Sequence, residues 1–116
     1  MTATSQHTVD PEQARELLAA GDARAFDIRG DEEWREGRIP ACIRLDASAP
    51  EEGLSDLDEG HQAIVVCEDG RRSADVAEKL RDGDVDAVSI EGGMEAWRES
   101  KLWMQPSHDP DEDVHV

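Results

Sequence analysis

Ala63-Ile64-Val65-Val66-Cys67 is an uninterrupted apolar run of strand length, broken at once by Glu68-Asp69-Gly70-Arg71-Arg72. A run that is apolar at every position suits a strand covered on both faces, as in a parallel sheet. Residues 68–72 read as a loop containing Gly70. Residues 73–81 read as a helix whose inner face is Val76, Ala77 and Leu80. Ala87-Val88-Ser89-Ile90 is a second strand, followed by Gly92-Gly93 and a last helix over 94–101 with Trp97 inward. Upstream, residues 23–28 form another buried strand, ending at Asp27-Ile28-Arg29. Residues 31–36 form a short acidic helix carrying Trp34 and stopped by Gly37, and 39–45 hold a proline turn and then a strand. His7-Thr8-Val9 reads as an edge strand, and Asp10-Pro11 opens a helix with an apolar face of Ala14, Leu17 and Leu18, stopped by Gly21. A weak helix is expected over 51–57. Strands alternating with helices at these spacings predict an α/β fold around a mainly parallel sheet.

The chain has 116 residues, which fits one domain. We expect a frayed segment over 1–6, the domain over 7–104 and an acidic, disordered tail over 105–116, with Trp103 and Met104 covering an edge of the core. Acidic residues number 29 against 12 basic ones, for a formal charge of −17. Such a surface repels phosphates and anionic lipids, so neither nucleic acid nor membrane is an expected partner. No apolar run approaches the about 20 residues of a membrane helix, and residues 1–10 lack a secretory pattern, so a cytoplasmic location is expected. The basic residues are ten arginines and only two lysines, Lys79 and Lys101. This acidic, lysine-poor composition is like that of halophilic proteins, whose carboxylates repel less when molar salt shortens the screening length to about 3 Å. The other reading is an acidic partner surface in an ordinary cytosol.

Cys67 ends a buried strand at the sheet end where ligands bind in open parallel sheets. Amides of the following loop and of the helix start should point toward its sulfur, favouring a thiolate and binding anions. Arg71 and Arg72 add local positive charge against the global trend. The bland alternative is a buried structural cysteine followed by a solvated arginine pair. Asp27 and Arg29 end a strand that should neighbour the Cys67 strand. We expect them to support the loop; as a mere surface pair they would contribute ~0–1 kcal/mol. Trp34 and Trp97 read as core or cleft-wall residues. Cys42 reads as a small hydrophobe, and a disulfide with Cys67 is not expected in a reducing cytosol. His7, His61, His108 and His115 show no ligand spacing, and His61 lies at the wrong end of its strand for a general base. No metal and no organic cofactor are called for.

Cys67-Glu68-Asp69-Gly70-Arg71-Arg72-Ser73 resembles the active-site loop of the rhodanese family: Cys, two variable residues, Gly, one variable residue, Arg. Phe26-Asp27-Ile28-Arg29, Glu33-Trp34 and Gly37-Arg38-Ile39-Pro40 resemble the family's N-terminal signature. Glu91-Gly92-Gly93-Met94-Glu95-Ala96-Trp97 resembles its C-terminal one. The matches stand in the family's order over roughly residues 7–101.

The resemblance implies a rhodanese-like fold, with a five-stranded, mainly parallel sheet flanked by helices on both faces. It also implies a sulfurtransferase that moves sulfane sulfur from thiosulfate or a persulfide through a Cys67 persulfide. Glu68, Asp69, Gly70, Arg71, Arg72 and Ser73 would form the active-site loop, supported by Asp27 and Arg29. Arg72 would brace the loop or meet the donor, with Arg71 exposed. The partners implied are a small anionic sulfur donor and a thiol or cyanide acceptor, with a sulfur-relay protein as a further candidate, for a monomer or weak dimer. The alternatives are a relay or partner-binding module without turnover, and a cysteine-dependent phosphatase or arsenate reductase. Phosphatase loops are one residue longer than this one. Three departures stand out. Arg38 occupies a usual His position, and Ala41-Cys42 a usual Gly-Ala pair, where a changed turn is expected. Glu68 and Asp69 put two carboxylates beside the nucleophile, opposing both thiolate formation and anionic donors.

Overall fold

Side chains alternate across a strand, so the run ending at Cys67 must serve two cores at once. In a computed structural model of the chain, which describes residues 7–54, 57 and 60–102, it does. Ile64 and Val66 enter one apolar cluster with Ala14, Val88, Met94 and Trp97. Ala63, Val65 and Cys67 enter the other with Phe26, Val76, Ala77 and Leu80. The sulfur therefore faces the side covered by the helix that comes next in the chain.

The strands are β1 (Thr8–Val9), β2 (Ala23–Asp27), β3 (Ile43–Arg44), β4 (Gln62–Val66) and β5 (Ala87–Ile90), and the helices α1 (Pro11–Ala19), α2 (Asp31–Glu36), α3 (Arg71–Asp82) and α4 (Gly93–Glu99). The five strands form one sheet in the order β1-β5-β4-β2-β3, and every pairing is parallel. α1 and α4 pack on one face and α3 on the other. The expected architecture is thus the observed one, with β1 at an edge. Central β4 pairs with β2 through Asp27 and Val66, and with β5 through Val65 and Ser89. α3 turns Ser73, Val76, Ala77 and Leu80 inward, the i, i+3, i+4, i+7 spacing of an amphipathic helix. Asp10 caps α1 by accepting from the Gln13 amide at 2.7 Å, while the Gln13 side chain accepts from the Asp10 amide at 2.9 Å.

Several boundaries differ from the expected ones. α3 begins at Arg71 instead of Ser73, because Gly70 takes a left-handed conformation (φ 93°) that turns the chain directly into a helix. Both arginines therefore belong to the first helical turn. The weak helix expected over 51–57 is a 3-10 turn, Pro50–Leu54. β2 stops at Asp27, β3 is only Ile43–Arg44, and His7 lies outside β1. α4 starts one residue early and ends at Glu99, before Lys101 at φ 60°. The expectations for residues 1–6, Trp103, Met104, His108, His115 and the tail over 105–116 lie outside the described residues. Among the described residues no helix is long and apolar enough to cross a membrane.

The turn before β3 shows what the Ala41 departure does. Ala41 sits at φ 63°, a region that favours glycine. A left-handed residue with a Cβ costs about 1–2 kcal/mol, and glycine's extra unfolded-state freedom returns about half of that. Ala41→Gly is therefore expected to stabilise the domain by up to about 1 kcal/mol in urea denaturation.

Candidate active site

Cys67 lies one residue past β4, 3% exposed, with its sulfur at the start of α3. The Gly70 amide donates to Sγ at 3.2 Å and the Ser73 amide at 3.3 Å. The Ser73 hydroxyl lies 3.4 Å from Sγ and donates to the Gly70 carbonyl at 3.2 Å. Ser73 is fully buried, so its polar groups are committed to the loop. Fixed amides aimed at one sulfur favour negative charge on it and on a second sulfur attached to it.

Glycines let this loop close. A Cβ on Gly70 would lie 3.0 Å from the Gly92 nitrogen and 3.2 Å from the Ile90 carbonyl. The tightest approach is at Gly93 (φ 60°), where a Cβ would stand 2.4 Å from the Cys67 carbonyl oxygen and 2.7 Å from that of Glu68. The same two carbonyls accept from the amides of Met94 at 2.9 Å and Glu95 at 3.0 Å. The first turn of α4 thus holds the backbone of the cysteine loop. The sequence reading matched Gly92-Gly93 without giving the pair this task; its signal was the glycine doublet at the end of a buried strand. Gly93→Ala is expected to cost about 1–3 kcal/mol through strain and overpacking. Displacement of the loop amides should lower any Cys67 chemistry further, read as activity per folded molecule at a temperature where circular dichroism shows a native spectrum.

The two carboxylates beside Cys67 have different surroundings. Glu68 forms a two-pronged ion pair with Arg98 on α4 and lies 3.6 Å from Nη1 of Arg29. The Arg98 hydrogen bond holds the Glu68 carboxyl below the usual carboxylate range, with charge from Arg98 and Arg29 acting the same way against burial. Asp69 is the carboxylate near the sulfur, its Oδ1 3.8 Å from Sγ and accepting from the Arg71 amide at 3.0 Å. Only Asp69 therefore has the opposing position expected of both. Arg98, thirty residues from Glu68, was not singled out from the sequence.

Asp27 and Arg29 form no surface pair, for they are 1% and 4% exposed. Arg29 Nη2 donates to Asp27 at 2.8 Å and to the Gly37 carbonyl at 2.7 Å, and Nε donates to both Asp27 oxygens at 3.0 Å. The pair joins the end of β2 to α2's exit and to the cysteine loop through Glu68. Arg71 is 90% exposed, 3.9 Å from Asp69. Arg72 is exposed and lines a cleft with Arg29 and Arg44.

Trp97 is in the core, while half-buried Trp34 lies under the guanidinium groups of Arg38 at 4.5 Å and Arg44 at 5.4 Å. Cys42 is half-buried beside the α1 face of the sheet. Burial, helped by the Asp27 charge, pushes its thiol up to about 12. His61 precedes β4, at the opposite end from Cys67. Among the described residues no cluster of three or more His, Cys, Asp or Glu could hold a metal ion.

Comparison with known proteins bears on this geometry. A family model described as a rhodanese-like domain matches residues 10–100. A thiosulfate sulfurtransferase of Pseudomonas syringae, GlpE, is 32% identical over 91 residues, covering 78% of this chain and 85% of that one. A rhodanese-like domain protein from Staphylococcus aureus superposes with a TM-score of 0.69 at 30% identity, over 78% of this chain and 90% of its own. A rhodanese-related protein from Thermoplasma volcanium shares the fold, with a TM-score of 0.75 at 24% identity over 85% and 97% of the two chains.

Proposed function

The chain belongs to the rhodanese-like domain family, and from that premise we propose that it is a sulfurtransferase working through a persulfide on Cys67. The observation that carries the reading is the pair of amides, Gly70 and Ser73, at 3.2 and 3.3 Å from one buried sulfur. The Cys67 thiolate attacks the outer sulfur of thiosulfate. A bond forms between Sγ and that sulfur, the donor's sulfur–sulfur bond breaks, and its electron pair leaves on sulfite. An acceptor, cyanide or a thiolate, then attacks the outer sulfur of the persulfide and returns the electron pair to Sγ. Charge stays on sulfur throughout, and the loop amides hold it without reorganising. Glu68, Asp69, Gly70, Arg71, Arg72 and Ser73 are the loop that encloses the reaction. Asp27 and Arg29 position that loop and take no part in bond making.

The spacing weighs against a phosphatase. Four residues separate Cys67 from Arg72, and the position a longer loop would use for arginine is Ser73. The amides converge on one atom, which suits a sulfur better than three phosphoryl oxygens. The test is steady-state transfer from thiosulfate to cyanide, with a colorimetric phosphomonoester assay run beside it. Sulfur transfer without phosphate release supports the reading; phosphate release without sulfur transfer overturns it.

The two carboxylates give a sharper expectation for the donor. Thiosulfate is a dianion, and a unit-charge contact near 4 Å in water is worth ~1 kcal/mol, or about fivefold. Asp69→Asn is therefore expected to raise kcat/KM for thiosulfate about fivefold at low salt. Glu68→Gln should give no gain, because Arg98 already answers that charge. Raising the salt from about 0.1 M to 1 M shortens screening from about 10 to 3 Å, so the parent should speed up and the Asp69→Asn variant change less. Measured kcat/KM against ionic strength, over a range where the fold is constant, checks both slopes.

A further inference from the structure

Over little more than one turn, α4 reaches the cysteine loop from three of its residues. The Met94 and Glu95 amides donate to the carbonyls of Cys67 and Glu68, and Arg98 meets the Glu68 side chain. Arg98 stands at i+4 from Met94 and i+3 from Glu95, so the three share one side of the helix. Glu68 is therefore gripped by its backbone and by its side chain at once. Arg98 Nη1 donates to Glu68 Oε2 at 2.5 Å and Nη2 to Oε1 at 3.2 Å. A two-pronged guanidinium–carboxylate pair of this kind fixes direction as well as distance.

Glu68 belongs to a chain of alternating charges: Asp27, Arg29, Glu68, Arg98. The first two are buried and committed to each other, and Arg29 Nη1, 3.6 Å from Glu68, makes no hydrogen bond among the described residues. The chain holds as many positive charges as negative ones. Taking away Arg98 leaves one negative charge uncancelled, and it falls on the residue next to Cys67. The Glu68 hydrogen bond raises Arg98 above its ordinary value, and charge from Glu68, Glu36 and Glu95 acts the same way against burial. Arg98 thus answers Glu68 first and two further carboxylates after it. Asp69, on the other side of the sulfur, is less well answered: its ion-pair partner Arg71 is 3.9 Å away and 90% exposed.

We propose that Arg98 is a positioning residue for the chemistry at Cys67, acting through Glu68: it cancels that carboxylate and holds it in one place, so that an anion approaching the sulfur meets the charge of Asp69 alone. Arg98 touches no reacting atom, and its whole effect passes through the residue beside the nucleophile. The inference deepens the sulfurtransferase reading and rests on it for the role of Cys67. It also gives α4 a second task at the site, in the charge of the loop as well as in its backbone.

The test compares two alkylating reagents of nearly the same size, iodoacetamide, which is neutral, and iodoacetate, an anion. With each, the Cys67 thiolate displaces iodide, so the ratio of the two rates cancels the thiolate fraction and the openness of the loop and keeps the local field. Full-length protein carrying Cys42→Ala leaves Cys67 as the reporting thiol. Arg98→Gln is expected to lower the iodoacetate-to-iodoacetamide ratio about threefold at low salt, the scale of one unit charge several ångströms away in water. In about 1 M salt, where screening shortens to about 3 Å, most of that loss should vanish. Adding Glu68→Gln to Arg98→Gln removes both charges and should restore the ratio, and Arg98→Lys, which keeps the charge, should stay near the parent. The Arg98 side chain is 40% exposed, so these variants alter a partly solvated position. A fall in both rates at constant ratio would reduce Arg98 to a brace for the loop and overturn the proposal, as would a lowered ratio that persists without Glu68. The two readings fail separately: a lowered and rescued ratio in a protein that transfers no sulfur counts against the sulfurtransferase alone, and an unchanged ratio in an active protein counts against Arg98 alone.

Discussion

Cys67→Ser is expected to lower sulfur transfer to below about 10⁻³ of the parent, the scale seen when an enzyme loses its nucleophile. Serine is nearly isosteric, and the amides of Gly70 and Ser73 can donate to its oxygen as they do to sulfur. The fold should therefore survive, with an unfolding midpoint close to the parent's. The hydroxyl is the wrong group for the chemistry, because its alkoxide is inaccessible at neutral pH. The companion variant Cys42→Ala should keep most activity, since burial pushes that thiol up to about 12 and leaves little thiolate near neutrality. Steady-state rates of both variants at equal folded fraction check the pair. Activity retained in Cys67→Ser and lost in Cys42→Ala would move the carrier to the other cysteine.

Asp27→Ala is expected to destabilise the domain by about 3–5 kcal/mol, because it leaves the buried Arg29 charge without its carboxylate. That is a large share of the ~5–15 kcal/mol a domain has. Three of the guanidinium's contacts to Asp27 lie at 2.8 to 3.0 Å, and the Arg29 amide also donates to the same carboxylate at 2.9 Å. The variant also loosens the seat of Glu68, so activity should fall more than the folded fraction does. Urea denaturation measures the first effect and activity per folded molecule the second. A double variant, Asp27→Leu with Arg29→Met, should lose less stability than Asp27→Ala, since no buried charge is left unpaired. If Asp27→Ala costs under about 1 kcal/mol, the pair behaves as a surface bridge and does not hold the site.

Much of the architecture was legible because the strongest signals were local. The run Ala63–Cys67 suited a strand covered on both faces, and its alternation set the two cores. Val76, Ala77 and Leu80 fixed the face of α3, and Asp10-Pro11 the start of α1. The placement of Cys67 before a loop, and of Asp27 and Arg29 at a neighbouring strand end, was also readable from residue types. What the sequence withheld is held together across long separations. The Met94 and Glu95 amides tie the carbonyls of Cys67 and Glu68, and amides leave no trace in residue type. Arg98 answers Glu68 from α4 while Asp69 lies beside Sγ, so two neighbouring carboxylates that look alike in the sequence have different situations in the fold. The early start of α3 depends on the left-handed turn at Gly70, which resembles none of the usual side-chain caps. The arginine cleft joins residues from β2, β3 and α3, and only the sheet order β4-β2-β3 brings them together.

The most direct test of the sulfur-carrier account is the intact mass of the protein after brief incubation with thiosulfate and removal of excess donor. The account predicts a gain of one sulfur atom on the parent and on Cys42→Ala, mapped to the peptide containing Cys67, absent from Cys67→Ser and discharged by cyanide. An unchanged parent mass with both thiosulfate and a persulfide donor, or a gain that persists in Cys67→Ser, would contradict it.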